Sequence, residues 1–272
     1  MDTEAKQTAG MHGNGMVMQA DSVQGLAVSA DGFTLALGRR MATPGRRFQL
    51  TFRILDERGR TVRDFDVKHT KRLHLVVVRR DMIDFQHLHP TEAADGSWTT
   101  LLTLHEAGSY RVFADFSTSG RPYVLADDLL ADGTVAWQAL PAPTGAAEAD
   151  GLRIELAETA ARPGEESQLE FAVARNGRPV QLQDYLGAKG HLVALRQGDL
   201  AYLHVHPDPD SLKFMATFPT AGTYRLFLQF KVDGGVHTAA FTQEVSSRTR
   251  PWRTRMLHRS HRSSMPCRSR RD

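Results

Sequence analysis

The segment HLVVVRRDMIDFQHLHP, from His74 to Pro90, recurs without a gap as HLVALRQGDLAYLHVHP, from His191 to Pro207. Flanking landmarks recur in step. Phe33 precedes Pro44 by 11 residues, as Leu152 precedes Pro163, and Phe52 and Phe171 each follow eight residues later. Arg58-Gly59-Arg60 is answered by Asn176-Gly177-Arg178, and Ala107-Gly108-Ser109-Tyr110-Arg111 by Ala221-Gly222-Thr223-Tyr224-Arg225. The offset stays between 114 and 119 residues. A fixed offset of this kind marks a duplicated domain, and a unit of roughly 100–115 residues is the size of a β-sandwich.

Short apolar runs at Phe48–Leu55, Leu73–Val78, Thr99–Leu104 and Tyr110–Phe116 alternate with loop chemistry at Thr43-Pro44-Gly45, Glu57-Arg58-Gly59 and Ala94-Asp95-Gly96. No segment keeps a helical period over three turns. The expected fold is therefore all-β: two tandem immunoglobulin-like β-sandwich domains, residues 26–138 and 151–246. A Pro/Ala/Gly-rich linker at residues 139–150 joins them. Residues 1–25, a polar leader with Met and His, and residues 247–272, rich in Arg, are expected to be disordered tails. The single cysteine, Cys267, lies in the second tail, so both cores must hold by packing without an intrachain disulfide. The repeated AG[ST]YR element, entering a late strand, suits a tyrosine placed at a sandwich corner.

The net charge of +3 is unevenly spread. From Ser246 onward there are nine Arg and one Asp, or +8, which leaves the rest of the chain at −5. The tail could attract nucleic acid or acidic lipid by charge alone, but it carries no recognition motif, so no specific nucleic-acid partner is expected. No run approaches the roughly 18 apolar residues of a membrane helix, and the first residues lack a signal-peptide pattern.

The repeated segment places imidazoles together. A two-residue loop at Gly198-Asp199, with glycine first as in a type II′ turn, pairs Leu195 with Tyr202, Val193 with His204 and His191 with His206. All three histidines then share one face. His191 and His206 would have Cβ atoms about 5 Å apart, with His204 on the diagonal at roughly 7 Å. A turn at Asp81-Met82 gives His74, His87 and His89 the same arrangement. The expected metal ligands are therefore His74, His87 and His89 in one site and His191, His204 and His206 in another. Only seven of the 17 aligned positions are identical, and the three histidines are among them. Arg79 and Arg196, also identical, are taken as structural partners of a strand-end carboxylate. His105, His237 and His69 occur in one copy only and are taken as surface residues. Met11, His12, Met16 and Met18 would suit Cu(I), but are read as part of a flexible leader.

Imidazole sets suit Cu(II), Zn(II) and Ni(II), with intrinsic affinity highest for copper. Blue-copper electron transfer needs a thiolate, and neither domain has a cysteine. A hydrolytic zinc site needs a positioned base and a substrate pocket, and neither is legible. The expected function is non-enzymatic metal binding, for storage or delivery, with copper first and zinc as the alternative. No catalytic or organic-cofactor residues are assigned. One site per domain is expected, although the linker would also permit an ion shared between domains. The rival readings are a tandem interaction module without metal and a metal-dependent hydrolase.

The segments His74–Pro90 and His191–Pro207, the AG[ST]YR elements and the stretch GRPVQLQDYLGAKGHLVAL from Gly177 to Leu195 resemble a group of bacterial extracytoplasmic proteins. These have YtkA-like or FixH-like immunoglobulin-type domains with HxHP motifs, and are described as secreted, lipoprotein or heavy-metal-associated. The resemblance covers about residues 26–246. It implies a β-sandwich outside the cytoplasm, secreted or associated with the cell envelope, a link to copper handling and an envelope protein as a possible partner.

Overall fold

The computed structural model describes residues 23–157 and 160–247. Most of both expected tails lies outside these residues. The described residues hold twenty strands, numbered here in chain order, and no helix. In the first domain one sheet has the order β1 (Ser29–Ala30), β2 (Phe33–Leu37), β4 (Arg47–Leu55), β8 (Trp98–Thr103), β7 (Thr91–Glu92). The facing sheet has β3 (Met41–Ala42), β10 (Arg121–Ala131), β9 (Gly108–Thr118), β5 (Leu73–Arg79), β6 (Phe85–Leu88).

The second domain repeats the plan. Its first sheet is β11 (Ala146–Ala149), β12 (Leu152–Leu156), β13 (Glu166–Arg175), β18 (Lys213–Thr217), β17 (His206–Pro207), with β14 (Arg178–Pro179) also on β13. Its second sheet is β16 (Tyr202–His204), β15 (Gly190–Arg196), β19 (Gly222–Val232), β20 (Gly235–Val245). The chain is thus two tandem β-sandwiches. Leu35, Phe52, Leu75, Val77 and Trp98 lie in the first core, and Ile154, Phe171, Leu192, Ala194 and Phe214 in the second. Tyr110 Oη donates to Glu106 O and Tyr224 Oη to Thr220 O, each at 3.0 Å. Both copies therefore have the tyrosine corner that the AG[ST]YR element suggested.

The stretch expected to be a linker is partly strand. β11 pairs with β12 through Asp150-Gly151, whose φ values of 50° and 75° suit a type I′ turn. Asp31-Gly32, at 50° and 83°, turns β1 into β2 in the same way. The tail expected to be disordered also ends earlier than residue 25. Gly25 N–H donates to Val124 O, Ala126 N–H to Ala27 O and Tyr202 N–H to Gln24 O, so residues 24–27 run along β10 and Gln24 joins it to the second domain. Gly25 is required there: its φ is +73°, and a Cβ would stand 2.8 Å from Tyr202 Cβ.

Every residue of β5 is buried. Leu73, Leu75 and Val77 face their own core, whereas Val76 and Val78 face the second domain. A continuous apolar strand of this kind is covered on both faces. β15 behaves alike, sending Leu192 and Ala194 inward and Val193 and Leu195 outward. Val76, Val78, Met82, Phe113, Val124 and Ala126 thus form a third core with Val193, Leu195, Leu200, Tyr202 and Phe227. Phe85 stacks on Phe227 at 4.0 Å between ring centres, and Phe113 meets Tyr202 at 5.2 Å. These two contacts are images of each other, since Phe85 aligns with Tyr202 and Phe113 with Phe227. The repeats pack as the halves of a two-fold dimer do. Each large side chain withdrawn from water contributes about 1.5–3 kcal/mol, so the domains form one packed unit.

Candidate metal centre

The hairpins that bear the histidines have the expected register by a different loop. Val76 pairs with His87 and Val78 with Phe85; Val193 pairs with His204 and Leu195 with Tyr202. The loops are four residues long, closed by Arg79 N–H to Asp84 O and by Arg196 N–H to Ala201 O. A type II′ turn would need only Gly198 at positive φ, but Leu200 is also there at 60°, and Met82 at 61°. Both loop lengths centre on the same residue pair, so the register survives.

The last histidine of each segment departs from the expected ladder. Pro90 and Pro207 have no N–H to continue it, and the chain crosses to the opposite sheet. Thr91 and Glu92 pair with β8, and His206 pairs with Met215 of β18 instead of with His191.

His74, His87 and His89 nevertheless converge. Their ring centres are 5.2, 5.1 and 4.9 Å apart, and one nitrogen from each lies within 4.8 Å of the others. Imidazoles sharing one ion at about 2.0–2.1 Å have ring centres roughly 4.5–5.2 Å apart, for angles between a right angle and the tetrahedral one. The spacing fits a single ion.

Hydrogen bonds on the outer side of the cluster orient two of the rings. His74 Nε2 lies 3.3 Å from Lys68 O, and His87 Nδ1 lies 2.7 Å from Gln229 Oε1. Gln229 is itself oriented, because its Nε2 donates to Thr238 Oγ1 at 3.1 Å. A carbonyl oxygen only accepts, so the outer nitrogen of each ring carries a proton. The inner nitrogens, His74 Nδ1 and His87 Nε2, face each other at 3.0 Å. His89 Nε2 is buried with no hydrogen-bond partner among the described residues.

Burial pushes His87 well below the usual imidazole pKa of 6.5, and the neighbouring His74 and His89 add to it. Burial likewise takes His89 down to about 4, aided by His74 and Lys71. At neutral pH His87 and His89 are therefore uncharged and able to offer a lone pair to a cation. Metal-bound histidines commonly donate their other N–H to a carbonyl in this way.

The second copy holds His191 as the first holds His74. His191 Nε2 lies 3.0 Å from Tyr185 O, and Tyr185 stands where Lys68 stands. Each carbonyl opens a two-residue turn, His69-Thr70 in one copy and Leu186-Gly187 in the other, with all four φ values between 46° and 83°. His204 and His206 are placed by backbone on β16 and β17, and their side chains lie outside what the structure describes. The His191 ring is 6.4 Å from both His74 and His87. His191 therefore adjoins the first cluster across the domain interface.

Two residues near these clusters were not singled out by sequence reasoning. His69, taken as a surface residue, is 5.0 Å from His191 and 6.3 Å from His74. Gln229 carries only one signal, its cross-strand position opposite His191. Arg79 and Arg196 fasten the hairpin loops, Arg79 to Asp81 and Glu106 and Arg196 to Asp199 and Thr220.

Among the described residues no helix is long and apolar enough to cross a membrane. Solved structures similar to the chain include a Salmonella alpha-2-macroglobulin, at 15% identity and TM-score 0.30, covering 84% of this chain and 15% of that one. The Escherichia coli adhesin FdeC follows at 15% identity and TM-score 0.27, covering 81% and 66%. Invasin, a bacterial integrin-binding protein, gives 14% and 0.24, covering 79% and 39%. At such scores these likenesses carry no functional argument. No curated protein matches. The family described as a domain of unknown function, DUF8832, matches residues 27–131 and again residues 147–247. The chain belongs to that family and contains its domain twice.

Proposed function

We propose that the protein binds a first-row transition-metal ion without catalysing a reaction, copper first and zinc as the alternative. His74, His87 and His89 are the ligands of one site, and His191, His204 and His206 belong to a second. The observation that carries this reading is the convergence of His74, His87 and His89, one nitrogen from each within 4.8 Å of the others, with His89 Nε2 buried and without a hydrogen-bond partner among the described residues. Copper is preferred because imidazole sites bind it most tightly. The absence of any cysteine before Cys267 argues for storage or delivery and against blue-copper electron transfer. The resemblance to YtkA-like and FixH-like proteins supports a place outside the cytoplasm, with an envelope protein as the partner.

The test is calorimetric titration of the full chain with Cu(II) and with Zn(II), beside a variant in which all six histidines are Ala. Near two equivalents bound by the parent and none by a folded variant is the expected result. A folded parent that binds neither ion removes the metal reading.

A further inference from the structure

The three imidazoles of the first site leave one side of an ion unfilled. We propose that the ion held by His74, His87 and His89 takes a small monodentate anion, such as a carboxylate, as its fourth ligand, and that Tyr185 and Lys71 hold that anion. This rests on the metal-binding reading above and concerns the first site alone.

Three neutral imidazoles leave a divalent ion with its full charge and an open tetrahedral position. The converging set holds no carboxylate. Asp115, opposite His74 on β9, accepts from Tyr202 Oη at 3.3 Å. His74 and His87 are backed by Lys68 O and Gln229 Oε1, so protein closes their outer sides. His89 borders two polar groups that have no partner of their own.

The first is Tyr185 of the second domain, whose ring centre is 6.5 Å from that of His89. Its backbone oxygen is taken by His191 Nε2, but its hydroxyl makes no hydrogen bond among the described residues. The second is Lys71, which closes the turn at His69-Thr70, its N–H donating to Lys68 O at 2.9 Å. Its ammonium is close enough to act on His89, and it has no carboxylate partner among the described residues.

A lysine beside a cation site repels the ion, whereas an anion lying between them is drawn by both. A phenol O–H donates to the same anion. In the second domain Tyr185 and Ala188 are bridged as Lys68 and Lys71 are in the first, so alanine stands where Lys71 does. The turn itself therefore does not require a lysine, and the added charge is particular to the first site.

The experiment uses the full chain with His204→Ala and His206→Ala, which keeps the first set alone, loaded with one equivalent of Cu(II). Azide is titrated in and followed by its charge-transfer band on copper, with acetate as competitor. Tyr185→Phe and Lys71→Met are made on that background. The parent is expected to bind azide, and acetate to displace it. Each variant is expected to bind azide about ten-fold more weakly, as the loss of a hydrogen bond to a charged group implies. Lys71→Met is also expected to bind Cu(II) more tightly in anion-free buffer, because a like charge is gone. A lysine that served packing alone would not give that opposed pair of effects. Equal azide affinities in the parent and both variants would overturn the proposal, as would a copper-loaded parent with no azide band. Weakening in one variant alone would overturn the role of the other residue. Failure of the folded parent to bind Cu(II) would instead remove the metal reading itself.

Discussion

Gln229 of the second domain accepts a hydrogen bond from His87 of the first, at 2.7 Å between Oε1 and Nδ1. The contact aims His87 Nε2 at His74, so a ligand in one domain is oriented from the other. Gln229→Leu removes the acceptor while keeping the bulk. It is expected to weaken metal binding at the first site by about 10–100-fold, the usual cost of losing such a partner. Gln229→Glu restores an acceptor and copies Asp115, which stands opposite His74 as Gln229 stands opposite His191. It is expected to return most of the affinity. A competition titration decides, and equal affinities for parent and Gln229→Leu would mean that His87 needs no such partner.

The fold was legible because a duplication makes each landmark count twice. The register of both hairpins followed from alternation and from the loop centre, even though the loop type was misjudged. Asp150-Gly151 is a strong hairpin signal that a Pro/Ala-rich neighbourhood hid, which is why β11 was taken for linker. The convergence of His74, His87 and His89 could be argued from strand geometry. The trans-domain contacts of His69 and Gln229 could not, because they depend on how two finished sandwiches dock. One clue to that docking was present: LHLVVVR is too apolar for a strand with one face in water.

Acid should weaken the metal-free fold in a definite window. Burial holds His89 near 4 and His87 well below 6.5, whereas in the unfolded chain both protonate near 6.5. Below pH 6.5 the unfolded state binds more protons, so stability falls as pH falls. Well above 6.5 neither ring contributes a slope. Urea midpoints of the metal-free protein are expected to be level from pH 8 to about 7, and to decline from about 6.5 to 4. His89→Gln should make that decline shallower. An equally steep decline in the variant would place its origin elsewhere.

The two hairpin loops offer an internal comparison of buried and exposed ion pairs. Arg79 and Asp81 make a bidentate pair at 2.8 and 2.7 Å, with side chains 2% and 0% exposed. Arg196 and Asp199 form the corresponding pair at 18% and 41%. Removing one partner of a buried pair strands the other charge and costs about 3–5 kcal/mol, while an exposed pair contributes about 0–1 kcal/mol. Asp81→Ala is therefore expected to destabilise the protein by several-fold more than Asp199→Ala in chemical denaturation. Similar losses would show that Glu106, the other partner of Arg79, suffices to hold it.

The domain interface and the metal site should fail together. Phe227 stacks on Phe85 across the interface, and Gln229 lies two residues further along the same face of β19. Phe227→Ala leaves a cavity under that strand and is expected to cost about 3–5 kcal/mol, as Phe truncations in packed cores do. Phe214→Ala makes a comparable cavity, but inside the second domain's own core, where Phe214 is fully buried. Both variants lose stability, yet only Phe227→Ala releases the seam that sets Gln229 against His87. Metal titration below the unfolding temperature separates them. Phe227→Ala is expected to bind at the first site at least ten-fold more weakly, with Phe214→Ala close to the parent. If both bind alike, the first domain assembles its three imidazoles without help from the second, and the interface serves stability alone.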